Sequence, residues 1–341
     1  MKSATQLSLI QRFQLSFRLW LERLNAGVML IGLLFFWMIS GVSFAAGYNG
    51  SYVIEPVNIA PDTWVVMGKN EPFTPENGGM IANIGIILTE KETLVFDTGP
   101  SKAFAEALNH WIKQQGGGPI RYVLNSHAHP DHFLGNQVFP RNRTYTSEPT
   151  QQMIAAQGAD LAENLYRMVG AAMKGTRAVA PGVVLKDGIS KMTLGDGADA
   201  HQLEVRLMQG HSHSDLILLD RTTGVLFAGD LVFYNRALTT PHAVLQDWLV
   251  ALDQLENLPH KVLVPGHGPV HQKGEGIAQT RDYLKWLDKS FKQGAEEGRS
   301  MAEMLSWPLN PAFKSVVMQR YEFTRSLSHW YPQYEEQALN Q

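Results

Sequence analysis

The chain has 341 residues, of which 44% are hydrophobic and 18% are charged. This composition is typical of a globular protein and excludes a mainly disordered chain. The formal net charge of −3 argues against a strongly basic nucleic-acid binder. The absence of cysteine excludes disulfides, thiolate-held metal sites and catalytic thiols. The length predicts one large domain or two ordinary ones.

The first marked feature is an uncharged apolar run at residues 26–46. A run of this length is enough to span a bilayer as a helix. Basic residues precede it and none follows until Lys69, so the positive-inside bias predicts that everything after Ala46 is exported to the periplasm. Two interpretations stay open for residues 1–46. They are a cleaved signal peptide, or an uncleaved anchor that would be the chain's one contact with the inner membrane.

From Tyr48 onward, short β-like runs alternate with helical ones. The patterns predict strands at 65–67, 84–88, 94–96, 121–124, 203–208, 215–219, 225–228 and 261–264. They predict helices at 101–115, 149–175 and 245–255, and a helical tail beyond about residue 275. We therefore expect an α/β layered sandwich at 47–275, followed by a C-terminal helical extension at 276–341 that packs on it.

The most informative segment follows the strand at 121–124. Within six residues it places His127, His129, Asp131 and His132. In an extended segment, side chains two residues apart point the same way, so His127 and His129 can hold one ion together. Asp131 and His132 come after Pro130, which redirects the chain and lets them face a second ion. Three histidines and an aspartate clustered at a strand end are hard to explain by structure alone.

Three further candidates stand at strand ends beside glycines. These are His211, Asp230 and His267. Glycine allows the backbone to pack closely next to a site, and the loops at the carboxyl ends of strands are where sites gather in α/β folds.

Together these motifs resemble the metallo-β-lactamase superfamily. The HxHxDH signature is matched by His127, His129, Asp131 and His132, and the later histidine, aspartate and histidine by His211, Asp230 and His267. The Asp-Thr-Gly turn of the family is matched by residues 97–99. The resemblance implies an αββα four-layer sandwich with two mixed sheets between helices, and metals at one edge of the sheets.

The resemblance also implies roles. His127, His129 and His211 would bind the first metal, Asp131, His132 and His267 the second, and Asp230 would bridge them. Imidazole and carboxylate ligands suit two Zn²⁺ ions, and iron or manganese stays an alternative. A water that bridges the ions would ionise near neutral pH and act as the nucleophile, with Asp131 as the catalytic residue that orients it.

The nearest subgroup by resemblance is a set of exported proteins called quinoprotein relay system zinc metallohydrolases. It is suggested by residues 83–85, 210–215, 228–233, 264–270 and 320–323. We expect a small-molecule substrate with an ester, thioester or lactam-like bond, and no nucleic acid as partner. Two alternatives stay open. One is a metal-holding accessory protein with a periplasmic redox-system partner. The other is a β-lactamase, in which Arg236 would replace a missing lysine.

The pocket walls are expected at 73–80, 149–180 and 234–242. His213 is predicted to support or line the site, and His242 to line the pocket. The remaining histidines are predicted to lie at the surface; they are His110, His201, His260, His271 and His329.

Overall fold

The computed structural model describes residues 52–272 and 274–340. These residues form one compact unit. The candidate signal or anchor at 26–46 lies outside the described residues, so its fate stays a prediction. Within the described part of the chain, no helix combines the length and the apolarity that a bilayer crossing requires.

Two mixed sheets form the centre of the fold. The first has seven strands in the order β1 to β7, antiparallel from β1 to β4 and parallel from β4 to β7. Its strands are β1 Val57–Ala60, β2 Thr63–Val66, β3 Ile84–Leu88, β4 Thr93–Phe96, β5 Ile120–Leu124, β6 Thr144–Ser147 and β7 Val183–Leu185.

The second sheet has five strands in the order β12-β11-β10-β9-β8, with only β11 and β12 parallel. Its strands are β8 Ile189–Leu194, β9 His201–Met208, β10 Asp215–Asp220, β11 Val225–Phe233 and β12 Val262–His267. The helices are α1 Lys102–Gln114, α2 Pro130–Phe133, α3 Glu148–Val169, α4 Leu245–Glu256, α5 Glu275–Glu296, α6 Met301–Met304 and α7 Gln319–Leu339.

The sheets pack face to face through apolar side chains that alternate along each strand. Ile87 on β3 points into this layer, where Phe96 and Phe227 stack with ring centroids 5.4 Å apart. A Cβ at Gly85 would lie only 2.3 Å from the Phe227 ring, so the close approach of the sheets requires glycine there. Burial of this layer is the main driving force for pairing the two sheets.

Helices cover both outer faces. On the first sheet, Ile84 and Ile86 of β3 pack with Phe104 and Leu108 of α1. Ser101 caps α1 by accepting a hydrogen bond from the Phe104 N–H, which explains why the helix begins at the residue after it. On the second sheet, α4, α5 and α7 share one core with β11. The expected αββα four-layer sandwich is therefore confirmed.

The C-terminal helices belong to that shared core. Phe291 of α5 and Tyr331 of α7 are fully buried in the same cluster as Trp248 of α4. Residues on both sides of position 275 thus pack together. The boundary at 275 between the sandwich domain and the C-terminal extension stays a prediction.

Two predicted strands extend further than predicted, since β12 continues to His267 and β11 also gains residues at its end. Strand β11 continues to Phe233, so Asp230 lies within the strand rather than after it. Four strands are absent from the prediction. These are β1, β6, β7 and β8, three of which have only three or four residues. Such short strands carry little alternation of their own, and pairing with neighbours stabilises them.

Candidate metal centre

All seven predicted ligand residues meet at one edge of the sheets. The segment after β5 carries His127 and His129, and the short helix α2, which begins at Pro130, carries Asp131 and His132. His211 follows β9, and His267 ends β12. The carboxyl ends of strands from both sheets therefore build the site, as expected for an α/β fold.

The first group of ligand atoms belongs to His127, His129, His211 and Asp230. His127 Nε2 and His211 Nε2 each lie 2.9 Å from His129 Nδ1, and His211 Nε2 lies 3.3 Å from Asp230 Oδ2. Metal–nitrogen bonds of roughly 2.0–2.1 Å in a tetrahedral site would place ligand atoms about 3.3 Å apart. The geometry therefore fits one divalent cation.

The second group belongs to Asp131, His132 and His267. Asp131 Oδ2 lies 3.6 Å from His132 Nε2 and 3.4 Å from His267 Nε2. All three side chains are at most 7% exposed. Three converging ligands with one side toward a pocket are typical of a catalytic rather than a structural metal site.

Asp230 connects the two groups. Its Oδ1 lies 3.2 Å from His132 Nε2, and its Oδ2 lies 3.3 Å from the Nε2 atoms of both His211 and His267. The β11–β12 register shifts at Gly229, whose φ of +53° would strain a residue with a side chain. This irregularity places the Asp230 carboxylate between the groups rather than within a regular ladder.

Two buried polar atoms identify the space between the groups as a cation site. His132 Nε2 and Asp230 Oδ1 have no hydrogen-bond partner among the described residues, although they lie only 3.2 Å apart. Buried polar atoms without partners are costly, and a cation between them would satisfy both. A third buried atom without a partner, His211 Nδ1, faces away from the group.

The far ring nitrogens of three histidines, in each case Nδ1, are held by hydrogen bonds. His132 Nδ1 donates to Asp97 Oδ2 at 2.8 Å, and His267 Nδ1 donates to the Ile81 carbonyl at 2.8 Å. His127 Nδ1 lies 2.9 Å from Ser126 Oγ, which itself donates to Asp97 Oδ2. We assign the proton in each case to Nδ1, because this leaves a lone pair at Nε2 for a cation.

His129 has the opposite arrangement. Its Nε2 lies 2.9 Å from Nδ1 of His242, so its Nδ1 is the atom that joins the first group. His242 is therefore more than the pocket-lining residue that the sequence predicts, because it also fixes the orientation of a ligand.

Asp97 is the main supporting residue that sequence reasoning missed. It is fully buried, has a φ of +62°, and accepts hydrogen bonds from Ser126 and His132. One carboxylate thus supports a histidine of each group. The sequence feature that indicates Asp97 is the Asp-Thr-Gly turn directly after β4.

The electrostatics favour positive charge between the groups. Burial lowers the pKa of His127, His129 and His211 well below the ordinary value, so these rings are neutral and able to bind a cation. Burial also lowers the pKa of His132, but the charges of Asp230, Asp131 and Asp97 outweigh it and raise that pKa. The three histidines His267, His132 and His211 outweigh burial at Asp230 and lower its pKa.

A pocket of about 300 Å³ opens onto the ligand groups. The three predicted walls are present, represented by Phe73, Leu165 of α3 and Pro241. A fourth wall was not predicted and is formed by α7. It contributes Tyr321, Glu322, Arg325 and His329. A larger groove of about 730 Å³ lies between β7, β9 and α4, but it contains none of the ligand residues.

The remaining histidines follow the prediction in part. His110 is exposed, and His260 and His271 are half-buried. His329 is exposed but also lines the pocket, which was not predicted. His213 is exposed near His242 and is not on the described pocket lining, so its predicted place there is not confirmed. The surface prediction for His201 was wrong. This residue is 2% exposed, and its Nδ1 lies 2.7 Å from Asp220 Oδ2 on the neighbouring strand.

Comparison with known proteins assigns the family. The profile described as the Metallo-beta-lactamase superfamily matches residues 77–267, more than half of the chain, and this range contains all seven ligand residues. The chain belongs to the metallo-β-lactamase superfamily. With this fold and these His/Asp groups, it is a hydrolase with a site for divalent metal.

Individual members of the superfamily resemble this chain only at low sequence identity. The acyl-coenzyme A thioesterase MBLAC2 of Bos taurus is 28% identical over 213 residues, which cover 55% of this chain and 74% of that protein. The Homo sapiens protein of the same name is 26% identical with the same coverage.

Two solved structures illustrate the likeness in fold. A metallo-β-lactamase from Pontibacter korlensis has a TM-score of 0.53 and 24% identity, and the match covers 68% of this chain and 99% of that one. The sec-alkylsulfatase Pisa1 from Pseudomonas sp. has a TM-score of 0.61 and 18% identity, covering 83% of this chain and 50% of that one. At these identities, the likeness establishes the fold and not the substrate.

Proposed function

We propose that the chain is an exported dinuclear zinc hydrolase that cleaves a small thioester or ester. The observation that carries this proposal is the placement of Asp230 between two complete ligand groups at the floor of a pocket. Divalent cations held there would polarise the carbonyl group of a substrate and activate a water molecule for attack. Nitrogen and carboxylate ligands without thiolate favour zinc.

The protein's own residues prepare this chemistry in three ways. Hydrogen bonds from the far ring nitrogens fix the histidine orientations before any cation arrives, which lowers the cost of organising the site. Asp131 is within the pocket lining and can orient a water molecule through its carboxylate. Leu165 and Phe73 provide an apolar wall that limits access of bulk water to the reacting carbonyl.

The preference for a thioester rests on the similarity to the acyl-coenzyme A thioesterase MBLAC2, and export rests on the charge pattern around residues 26–46. Membership of the quinoprotein relay group is part of the same proposal and rests on the motifs given above. A β-lactamase role is less well supported, because Arg236, expected to bind a drug carboxylate, lies 3.4 Å from Glu322.

The test is turnover by the purified full chain, with a short acyl-coenzyme A, a 4-nitrophenyl ester and nitrocefin as substrates. We expect hydrolysis of a thioester or ester that a chelator abolishes and Zn²⁺ restores. His211→Ala should abolish it, while the matched control His110→Ala, at an exposed histidine of α1, should leave it unchanged. Turnover that survives complete metal removal would contradict the proposal. Ligand binding without any turnover would instead favour the accessory role.

A further inference from the structure

The C-terminal helix α7 is fixed to the loop that follows β11. The Ala237 N–H donates to the Val317 carbonyl at 3.0 Å, and the Val317 N–H donates to the Asn235 carbonyl at 3.0 Å. About two turns into α7, Thr240 Oγ1 donates to Ser326 Oγ at 2.9 Å. These contacts make the first half of α7 a rigid wall of the pocket rather than a loosely attached tail.

Three charged side chains meet where α7 contacts the loop after β11, two from α7 and one, Arg236, from the loop. Glu322 is fully buried and accepts hydrogen bonds from Arg236 Nη2 at 3.4 Å and from Arg325 Nη1 at 3.0 Å. Two guanidinium groups therefore share one carboxylate, and the set carries one positive charge in excess. Arg236 and Glu322 form a buried pair with no net charge, so the excess positive charge lies on the partly exposed Arg325 and would attract an anion at the pocket.

The two arginines differ in how a ligand can reach them. Arg236 is 3% exposed, and its Nε has no hydrogen-bond partner among the described residues. The side chain of Arg325 is 39% exposed and lines the pocket, so its guanidinium can contact a ligand directly. Arg325 is thus the group that can bind an anion. The positive charge of Arg236 partly neutralises Glu322, so that Glu322 repels the anion less.

No other charge cancels this excess on the described pocket lining. The remaining carboxylates there, Asp131 and Asp230, belong to the ligand groups at the floor. The remaining ionisable side chains of the lining are histidines and Tyr321, whose ring centroid lies 5.8 Å from the Arg325 guanidinium carbon. Across the pocket, Leu161, Leu165 and Met168 of α3 form an apolar surface. The pocket therefore has an apolar side formed by α3, a positively charged side formed by α7, and the ligand groups at its base.

We propose that α7 selects substrates that carry an anionic group, such as a carboxylate, bound by Arg325 while the scissile carbonyl lies over the ligand groups. This inference rests on the proposed hydrolase function and adds the charge of the substrate to it. Arg325 is a specificity-determining residue in this arrangement, and the apolar surface of α3 accommodates the uncharged part of the acyl chain.

The test compares two esters that differ mainly in one charge, 4-nitrophenyl hexanoate and mono-4-nitrophenyl adipate, with the zinc-loaded full chain. We expect a higher kcat/KM for the adipate ester, and a preference that weakens as salt is raised. Arg325→Gln should lower the ratio of kcat/KM for the adipate ester to kcat/KM for the hexanoate ester by about 10-fold or more, since charge-assisted hydrogen bonds are worth roughly this much.

The matched control is Arg320→Gln on the same helix. Arg320 is exposed, is not part of the pocket lining, and donates to the Leu305 and Trp307 carbonyls. Arg320→Gln removes the same charge from α7 without changing the pocket lining, so the ratio of kcat/KM for the two esters should not change. Equal kcat/KM for both esters in the wild type, or an equal ratio in wild type and Arg325→Gln, would overturn the inference.

A binding measurement separates this inference from the proposed function. Calorimetry with the metal-free protein should show that monomethyl adipate, which carries one carboxylate, binds, that the uncharged methyl hexanoate binds more weakly, and that Arg325→Gln weakens binding of monomethyl adipate by about 10-fold or more. If neither 4-nitrophenyl ester is hydrolysed but monomethyl adipate binds in this way, the hydrolase proposal fails and the anion site stands. If monomethyl adipate and methyl hexanoate bind equally, the anion site fails whatever the turnover.

Discussion

Asp230 is the residue on which both ligand groups depend. Its carboxylate lies within 3.3 Å of His132, His211 and His267, and it would offset the repulsion between two dications. Asp230→Asn keeps the shape and removes the charge. We expect the second group to lose its ion first, activity to fall by at least about 10–100-fold, and the fold to survive. Metal stoichiometry and melting temperature measure both effects.

The matched control for this change is Asp220→Asn. Asp220 is a fully buried carboxylate of the same sheet, but it pairs with His201 and not with a ligand. It should lower the melting temperature without releasing metal. Two ions retained in Asp230→Asn together with a collapsed melting temperature would show that Asp230 is structural.

Asp97 supports a ligand without reaching the cation site. Asp97→Asn keeps a residue type that tolerates the positive φ at this position, so the backbone is not strained by the change. It removes the charged acceptor of His132 Nδ1–H, and we expect the affinity of the second group for metal to fall by about 10–100-fold. Competition with a chromogenic chelator measures that affinity. An unchanged affinity would contradict the supporting role.

At the scale of elements, β11 and α7 do more than their sequence patterns indicate. The pattern predicts that β11 ends at 228, because Gly229 interrupts the apolar run, whereas the strand continues through an irregularity that presents Asp230. The role of α7 in the pocket was not predictable from the sequence pattern. Its Glu322 meets Arg236 across 86 positions of sequence, and no local pattern encodes such a contact.

The pair formed by His201 on β9 and Asp220 on β10 predicts a pH dependence of stability. Burial opposes the shift, but the Asp220 hydrogen bond raises the pKa of His201 above its ordinary value. The His201 hydrogen bond lowers the pKa of Asp220, again against the effect of burial. Stabilisation from the raised histidine pKa is complete below about pH 6.5 and is lost as the pH rises through the folded pKa.

We therefore expect Asp220→Asn to lower the melting temperature more at pH 5.5 than at pH 9. The reason is that His201 is charged only at the lower pH, so only there does the substitution remove a charged pair. At pH 5.5 the contribution of the aspartate is also present, since it fades only as the pH falls below about 4. Thermal unfolding of wild type and mutant across this range measures the difference. An effect that is the same at both pH values would contradict a charged pair.

At the scale of the whole molecule, the sequence predicts the layered fold and the seven ligand residues. The ligands were predictable because four of them fall within six residues and the others stand beside glycines next to predicted strands. What supports the ligands was less predictable. The acceptor of His132 is 35 residues away at Asp97, and the partner of His129 is 113 residues away at His242, so only the folded chain brings them together.

The central claim is that one chain holds two divalent cations in adjoining groups that share Asp230. The most direct measurement is the metal content of the full chain after saturation with Zn²⁺ and removal of free metal, determined by mass spectrometry of the metal. We predict two zinc ions per chain in the wild type and one in Asp230→Asn. A wild-type chain that retains one ion or fewer, whether loaded with zinc, iron or manganese, would contradict the two-metal site.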